Sequence, residues 1–251
     1  MRPVDQLFSC EHVIDDSQLT ALSIARGPNQ VELNLNFSSR SNQQIMVGIS
    51  QCFVNLLRHV PNGAVAFFPS YSFLTDFVKS VRVSGHLAQI EKVKPIFVES
   101  RDGRAEEMWS KFCNAAKLTR QGALLLSVVG GKLSEGINFS DELGRCVFMV
   151  GLPYANKSSL ELKERMKYVE EHIGSGAGDK FYETLCIQSV NQAIGRVIRH
   201  RNDHAAIILL DVRYSKANIA LPGWIKKRLS HCQTFAEALI KLISFFKAKD
   251  Q

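Results

Sequence analysis

Arg196 and Arg199 stand three residues apart in the run Gln192-Ala-Ile-Gly-Arg-Val-Ile-Arg-His200, just ahead of an apolar stretch over 205–210. Each guanidinium is permanently charged and offers a planar fork of donors that meets two phosphate oxygens at once, which an ammonium cannot do. Read as part of a helix over 181–199, the run puts both arginines on one face, one turn apart, with Gln192 a turn earlier on the same side. That is phosphate-binding chemistry. Taken in isolation, a solvated basic face accounts for the same residues about equally well.

Two other runs carry chemistry, each after an apolar stretch. Gly130, Gly131, Lys132, Ser134, Glu135, Gly136 and Asn138 follow the stretch over 123–129. The glycines permit tight turns and close backbone approach to an anion, with Lys132 as a nearby charge. The spacing is not that of a P-loop. Glu135 is the odd member, because an acid repels phosphate, so its expected part is to position arginines or backbone amides. Ser70 and Tyr71 follow the stretch over 64–68, where the Ser70 hydroxyl is expected to cap a helix whose free N–H groups suit a phosphate. A plain cap with an aromatic core contact is the simpler reading there. Asp211 and Arg213, past the next apolar run, can form a supporting ion pair.

These residues need a frame. Continuous apolar runs over 64–68, 123–129, 146–150 and 206–210, with 95–98 as a further one, fit strands buried on both faces of a parallel sheet. Alternation over 31–37 fits a strand with Val31, Leu33, Leu35 and Phe37 turned to the core. Helical segments are predicted over 71–83, 105–118, 158–173 and 181–199, and an amphipathic helix capped by Ser41 ends before residue 61. Strand and helix in alternation predict a doubly wound α/β sheet with helices on both faces, where ligands gather at the carboxyl ends of strands. A single domain over 1–251 is expected, with an N-terminal lead-in over 1–30, a glycine-rich loop over 174–178 and terminal helices over 222–251.

At 251 residues and 45% hydrophobic content the chain can bury a sizeable core. A net charge of +7 favours an anionic partner such as nucleic acid or nucleotide. The six cysteines lie more than thirty residues apart, without the paired spacing of zinc or iron–sulfur ligands, so no metal site is expected within the chain. Cys52 and Cys146 read as small core residues. There is no signal-peptide core and no apolar stretch of membrane-spanning length, which fits a soluble protein of cytosol or nucleus. No nucleophile elbow or paired-carboxylate site supports ordinary hydrolase chemistry.

Taken together, the three runs resemble the XPD-type iron–sulfur DNA helicases of superfamily 2. The run over 192–200 with Asp211-Val-Arg-Tyr214 resembles their motif VI, 131–139 their motif V and 66–71 their motif IV, in family order and spacing. Residues 127–132, Asn138 and the run over 144–153 are most similar to the Chl branch, linked to sister-chromatid cohesion and hence to the nucleus. Met1-Arg-Pro-Val4 resembles the tail of motif III. The resemblance implies a RecA-like second motor domain that itself lacks the P-loop. It implies Arg196 and Arg199 as arginine fingers on the ATP γ-phosphate, with Gln192, Glu135, Gly136 and Asn138 at the nucleotide cleft, and Glu135 coupling it to DNA. Ser70, Tyr71, Ser127 and Lys132 are the implied single-strand DNA contacts.

The departures are equally informative. No Walker A loop, DEAH box or four clustered cysteines occur in the sequence. ATP, Mg²⁺ and the iron–sulfur cluster are therefore expected to depend on a first motor domain preceding Met1, and this chain alone is expected not to hydrolyse ATP, because arginine fingers only complete the charge stabilisation. The rival is a catalytically inactive nucleic-acid- or partner-binding module that keeps the helicase fold. A small independent nucleotide-binding enzyme is a third reading.

Overall fold

A computed structural model describes residues 14–101, 105–133, 137–215 and 219–249. Seven parallel strands form one sheet: β1 (Leu19–Ile24), β2 (Ala64–Phe68), β3 (Ile96–Val98), β4 (Leu124–Val128), β5 (Cys146–Val150), β6 (Ala205–Leu210) and β7 (Leu229–Cys232), in the spatial order β3-β4-β2-β5-β6-β1-β7. The helices are α1 (Gln43–Leu57), α2 (Tyr71–Val83), α3 (His86–Val93), α4 (Ala105–Leu118), α5 (Leu160–Ile173), α6 (Ala177–Ile194), α7 (Gly223–Lys226) and α8 (Phe235–Lys247).

Strands β2, β5 and β6 are apolar throughout because each is covered on both sides. Alternate residues divide between two cores. Ala64, Ala66 and Phe68 of β2 face the layer of α1, α2, α3 and α8, while Val65 and Phe67 face α4, α6 and α7. Phe148 of β5 meets Phe53 of α1 edge to face at 5.0 Å between centroids, and Phe67 meets Phe139 at 5.7 Å on the other side. The chain thus leaves β4, crosses β2 on the second face, and re-enters the sheet as β5. That crossing carries the glycine-rich run.

Four sequence expectations need correction. Residues 31–37 are not a strand, because the positions beside β1 are taken by β6 and β7. Leu33 and Leu35 are buried, but their amides bond to Ala25 O at 2.8 Å and Asp211 Oδ2 at 3.3 Å, and Phe37 is 83% exposed under the Arg40 guanidinium. β1 and β7 fall instead inside the segments read as a lead-in and as terminal helices; Thr20, Ser23, Ser230 and His231 break their apolar runs. Asn42, not Ser41, caps α1 through a 2.8 Å bond from Gln44 N. Finally, α6 spans Ala177–Ile194 and stops before either arginine. The Arg196 carbonyl, which a helix would give to residue 200, accepts from Phe139 N at 3.2 Å instead, as Val197 and Ile198 turn into the core.

Among the described residues no helix is long and apolar enough to cross a membrane. Cys52 and Cys146 are wholly buried, and burial pushes both thiols up.

His204, just before β6, carries a pH dependence. Burial first, then Arg145 and Lys249, push its imidazole down to about 4. The unfolded chain takes up this proton near pH 6.5 and the folded chain resists until about 4, so stability present above 6.5 is lost as pH falls through this window. The half-exposed ring is screened, which leaves roughly 1–2 kcal/mol for this group. Urea unfolding at pH 7 and pH 4.5 should show His204→Gln losing less stability on acidification than the parent; equal losses would remove His204 from the account.

Candidate functional site

Two polar clusters occupy opposite ends of the sheet, and the β4-to-β5 crossing touches both. The first lies at the carboxyl ends of β2, β3 and β4. Ser70 caps α2, its Oγ accepting from Phe73 N at 3.2 Å, so the simpler reading of that hydroxyl describes its contact. Tyr71 begins the helix and donates its hydroxyl to Glu99 Oε1 at 2.8 Å. Glu99 follows edge strand β3 and is only 3% exposed. Its carboxylate also accepts from Ser127 Oγ at 2.6 Å, Val128 N at 3.0 Å and Leu133 N at 3.4 Å.

Burial of the Tyr71 phenol, reinforced by the bond to Glu99, pushes it up to about 12. Arg101 places its guanidinium 4.6 Å from the Tyr71 ring centroid. A cleft of about 640 Å³ runs on from this pair between α2 and β3, with Thr75, Lys79 and Arg82 along its wall. Gly130 takes a φ of +74, and a Cβ on Gly131 would lie 2.6 Å from Glu99 Oε1 and 2.8 Å from the Tyr71 hydroxyl. The glycines at this turn are thus required by backbone shape and by close approach. Lys132 projects from the same turn and is exposed. Ser127, grouped from the sequence with the surface contacts, is 0% exposed and its hydroxyl is committed to Glu99.

The second cluster lies by the amino ends of β5 and β6, not at the carboxyl ends where the sequence reading placed every motif. Arg196 Nη1 donates to Ile137 O at 3.2 Å, and Arg199 Nη2 donates to Asn138 Oδ1 at 2.5 Å. Asn138 and Arg199 are both exposed, as is Gln192 on the last turn of α6. Asp203, 1% exposed, anchors the loop, accepting from Arg199 N at 3.3 Å and pairing with Arg145 at 2.9 Å. His200 Nε2 lies 2.9 Å from Asp141 Oδ1. Asp141, His200 and Asp203 could supply three ligand atoms within 4.8 Å of one another. Asp203 is already matched by Arg145 and two backbone amides, so the trio reads as a latch on the arginine loop.

Asp211 and Arg213 form the expected ion pair, with Arg213 Nη2 and Nε at 2.7 and 2.9 Å from the two carboxylate oxygens. It supports Leu35 and lies after β6, away from the arginine loop. Glu135 and Gly136 lie outside the described residues. Sequence reasoning missed Glu99 and Arg101; the available signal was an acid directly after the short apolar run over 95–98.

Glu99→Gln replaces one acceptor oxygen with a donor facing donors. Leaving buried groups unsatisfied costs about 1–3 kcal/mol each. The variant should lose about 2–4 kcal/mol in urea unfolding, and its Tyr71 should titrate below 12 though still above 10, since burial remains. A stability loss under about 0.5 kcal/mol would show that the carboxylate does not organise this corner.

Comparison with known proteins identifies the family and the fold. The helicase C-terminal domain family matches residues 53–228. The chain is 46% identical over 246 residues to ATP-dependent DNA helicase chl-1 of Caenorhabditis elegans, covering 97% of this chain and 29% of that protein. It is 39% identical to ATP-dependent DNA helicase DDX11 of Danio rerio, covering 97% of this chain and again 29% of the relative. Among solved structures, an XPD helicase superposes with a TM-score of 0.61 at 22% identity over 85% of this chain and 35% of the other. Xpd4 of S. tokodaii gives 0.56 at 22% identity over 86% of this chain and 38% of its own. These likenesses support the RecA-like fold. The chain belongs to the helicase C-terminal domain family, and the curated relatives it is similar to are helicases of the Chl branch.

Proposed function

We propose that this chain is the second motor half of an ATP-dependent DNA helicase of the nucleus, working on a nucleotide held chiefly by a first motor domain and on single-stranded DNA. The observation that carries this reading is the β4-to-β5 crossing. Its start packs on Glu99 and Tyr71, and its later part bonds to both arginines through Ile137, Asn138 and Phe139.

In this reading Arg196 and Arg199 are the catalytic arginines, presented to the γ-phosphate when the two motor domains close. Asn138 orients the Arg199 fork with Gln192 on the last turn of α6 beside it, and Glu135 and Gly136 are assigned to the nucleotide by the motif resemblance alone. ATP with Mg²⁺ supplies the free energy of the cycle. Residues of this chain supply charge stabilisation and transmission: a shift of Arg199 toward phosphate loosens its hold on Asn138, and the crossing carries that change to the other end of the sheet. There Tyr71 and Lys132 meet the DNA backbone, Ser70 fixes the start of α2, and Ser127 acts through Glu99. Arg101, stacked on Tyr71, extends the basic path.

ATPase activity is the direct test. The isolated chain should show none, and turnover should appear on mixing with the first motor domain of a relative and fall about a thousandfold or more in Arg199→Ala. Full activity of that variant in the mixture would overturn the assignment. Binding of oligothymidine should weaken with salt, each neutralised phosphate contributing about 0.7 to the log–log slope. Lys132→Ala should reduce that slope by about one such contact; an unchanged slope would remove Lys132 from the DNA path.

A further inference from the structure

A groove of about 910 Å³ opens at the amino ends of β2, β3 and β4, on the face covered by α1, α3 and α8. Val197 and Ile198 of the arginine loop pack on the other face, and Tyr71 and Lys132 lie at the opposite ends of the strands. Its basic members are Arg58, His59, Lys92, Lys94, Arg120 and Lys247, and none of the described residues lining it is acidic. Its floor is apolar, formed by Leu57, Val60, Val93, Ile243 and Phe246.

Basic residues gather at helix C-termini simply to offset the dipole, and α1, α3 and α8 all end here. Magnitudes decide whether that is enough. With Arg120 and Lys94 set aside because each has an interaction of its own, three C-termini contribute about −1.5 charges in total against the exposed Arg58, Lys92 and Lys247, leaving an excess of about 1.5 positive charges. His59 registers the field: burial first, then Arg58 and Lys247, push its imidazole down. Lys94 forms the inner wall, 1% exposed, donating to Asn62 O at 2.8 Å and to Gln121 O. Burial pushes its ammonium down to about 8, so it stays mostly charged at neutral pH. Such a rim around an apolar floor calls for carboxylates and aliphatic or aromatic side chains on one ligand. A bare phosphate backbone would satisfy only the rim, and the Phe246 ring, 4% exposed, offers no face for base stacking.

We infer that this groove docks an acidic, apolar-bearing segment of a partner protein. Arg58, Lys92 and Lys247 take its carboxylates, and the partly exposed Val93 and Ile243 take its apolar side chains. The site is separate from the motor chemistry, so a helicase cycle could proceed while a partner is held behind the sheet.

The test uses the whole chain and fluorescence anisotropy with three probes: a synthetic peptide alternating aspartate pairs with leucine and phenylalanine, the same peptide with asparagine for aspartate, and oligothymidine. At physiological ionic strength the acidic peptide should bind at least about tenfold more tightly than its asparagine counterpart. Arg58→Glu with Lys247→Glu should weaken it at least tenfold and leave oligothymidine within about twofold. Ile243→Ser should weaken the peptide about threefold but not a peptide with serine for leucine and phenylalanine. If charge reversal disturbs folding by circular dichroism, Arg58→Gln with Lys92→Gln should still weaken the acidic peptide at least about threefold. Peptide binding indifferent to these variants overturns the proposal. So does an equal loss of oligothymidine, which would make the groove a nucleic-acid path.

Discussion

Placing a carboxylate in a protein interior costs several kcal/mol unless donors surround it, and Glu99 meets that condition with the Tyr71 and Ser127 hydroxyls and the amides of Val128 and Leu133. Much of the site's geometry follows from that requirement. One oxygen pair fixes the ring that begins α2, the hydroxyl inside β4, and the backbone that leaves β4. Gly131 must lack a side chain because the carboxylate and the phenol already fill the space. Arg101 can stack on Tyr71 only because the ring is held by its hydroxyl. A surface cluster of serine, tyrosine and lysine would be mobile; this one is tied to a buried charge.

How legible this was differs between the elements. The buried strands β2, β5 and β6 follow from uninterrupted apolar runs and β4 from one broken only by Ser127, and α2 and α4 occupy the expected residues 71–83 and 105–118. Local pattern suffices where both neighbours of an element are themselves apolar. It failed at β1 and β7, where Ser23 and Ser230 interrupt the pattern and pairing with β6 and β1 supplies the stabilisation instead. It failed also at 31–37, where a genuine alternation has no vacant edge to join. Tertiary context outweighs local preference in such cases.

The same limit applied to the site. Residue type and spacing singled out Arg196, Arg199, Asn138, Tyr71 and Lys132, since each stands in a motif of adjacent residues. Glu99 shows in the sequence only as an acid after the run over 95–98, because its partners lie 28 to 34 residues away. Ser127 was misassigned for a related reason: the sequence places it beside the glycine turn but does not say that its side chain points inward. A buried network is a property of the assembled sheet, and only its ends reach the surface.

The position of the arginines past the end of α6 bears on mechanism. On a helix, backbone hydrogen bonds would fix both side chains to one rigid face, and their orientation would be independent of anything bound elsewhere. In the loop, Arg196 and Arg199 are oriented by Ile137, Asn138 and Asp203, groups that belong to the crossing and to the latch before β6. Their geometry therefore depends on where that crossing sits, and the crossing is pinned at its other end by Glu99. The Glu99 cluster and the arginine loop are thus each hydrogen-bonded to one end of the same crossing, at Leu133 and at Ile137, Asn138 and Phe139. The departure from helical geometry leaves both arginines oriented by groups outside their own segment, and that dependence is what the proposed coupling of nucleotide state to DNA grip draws on.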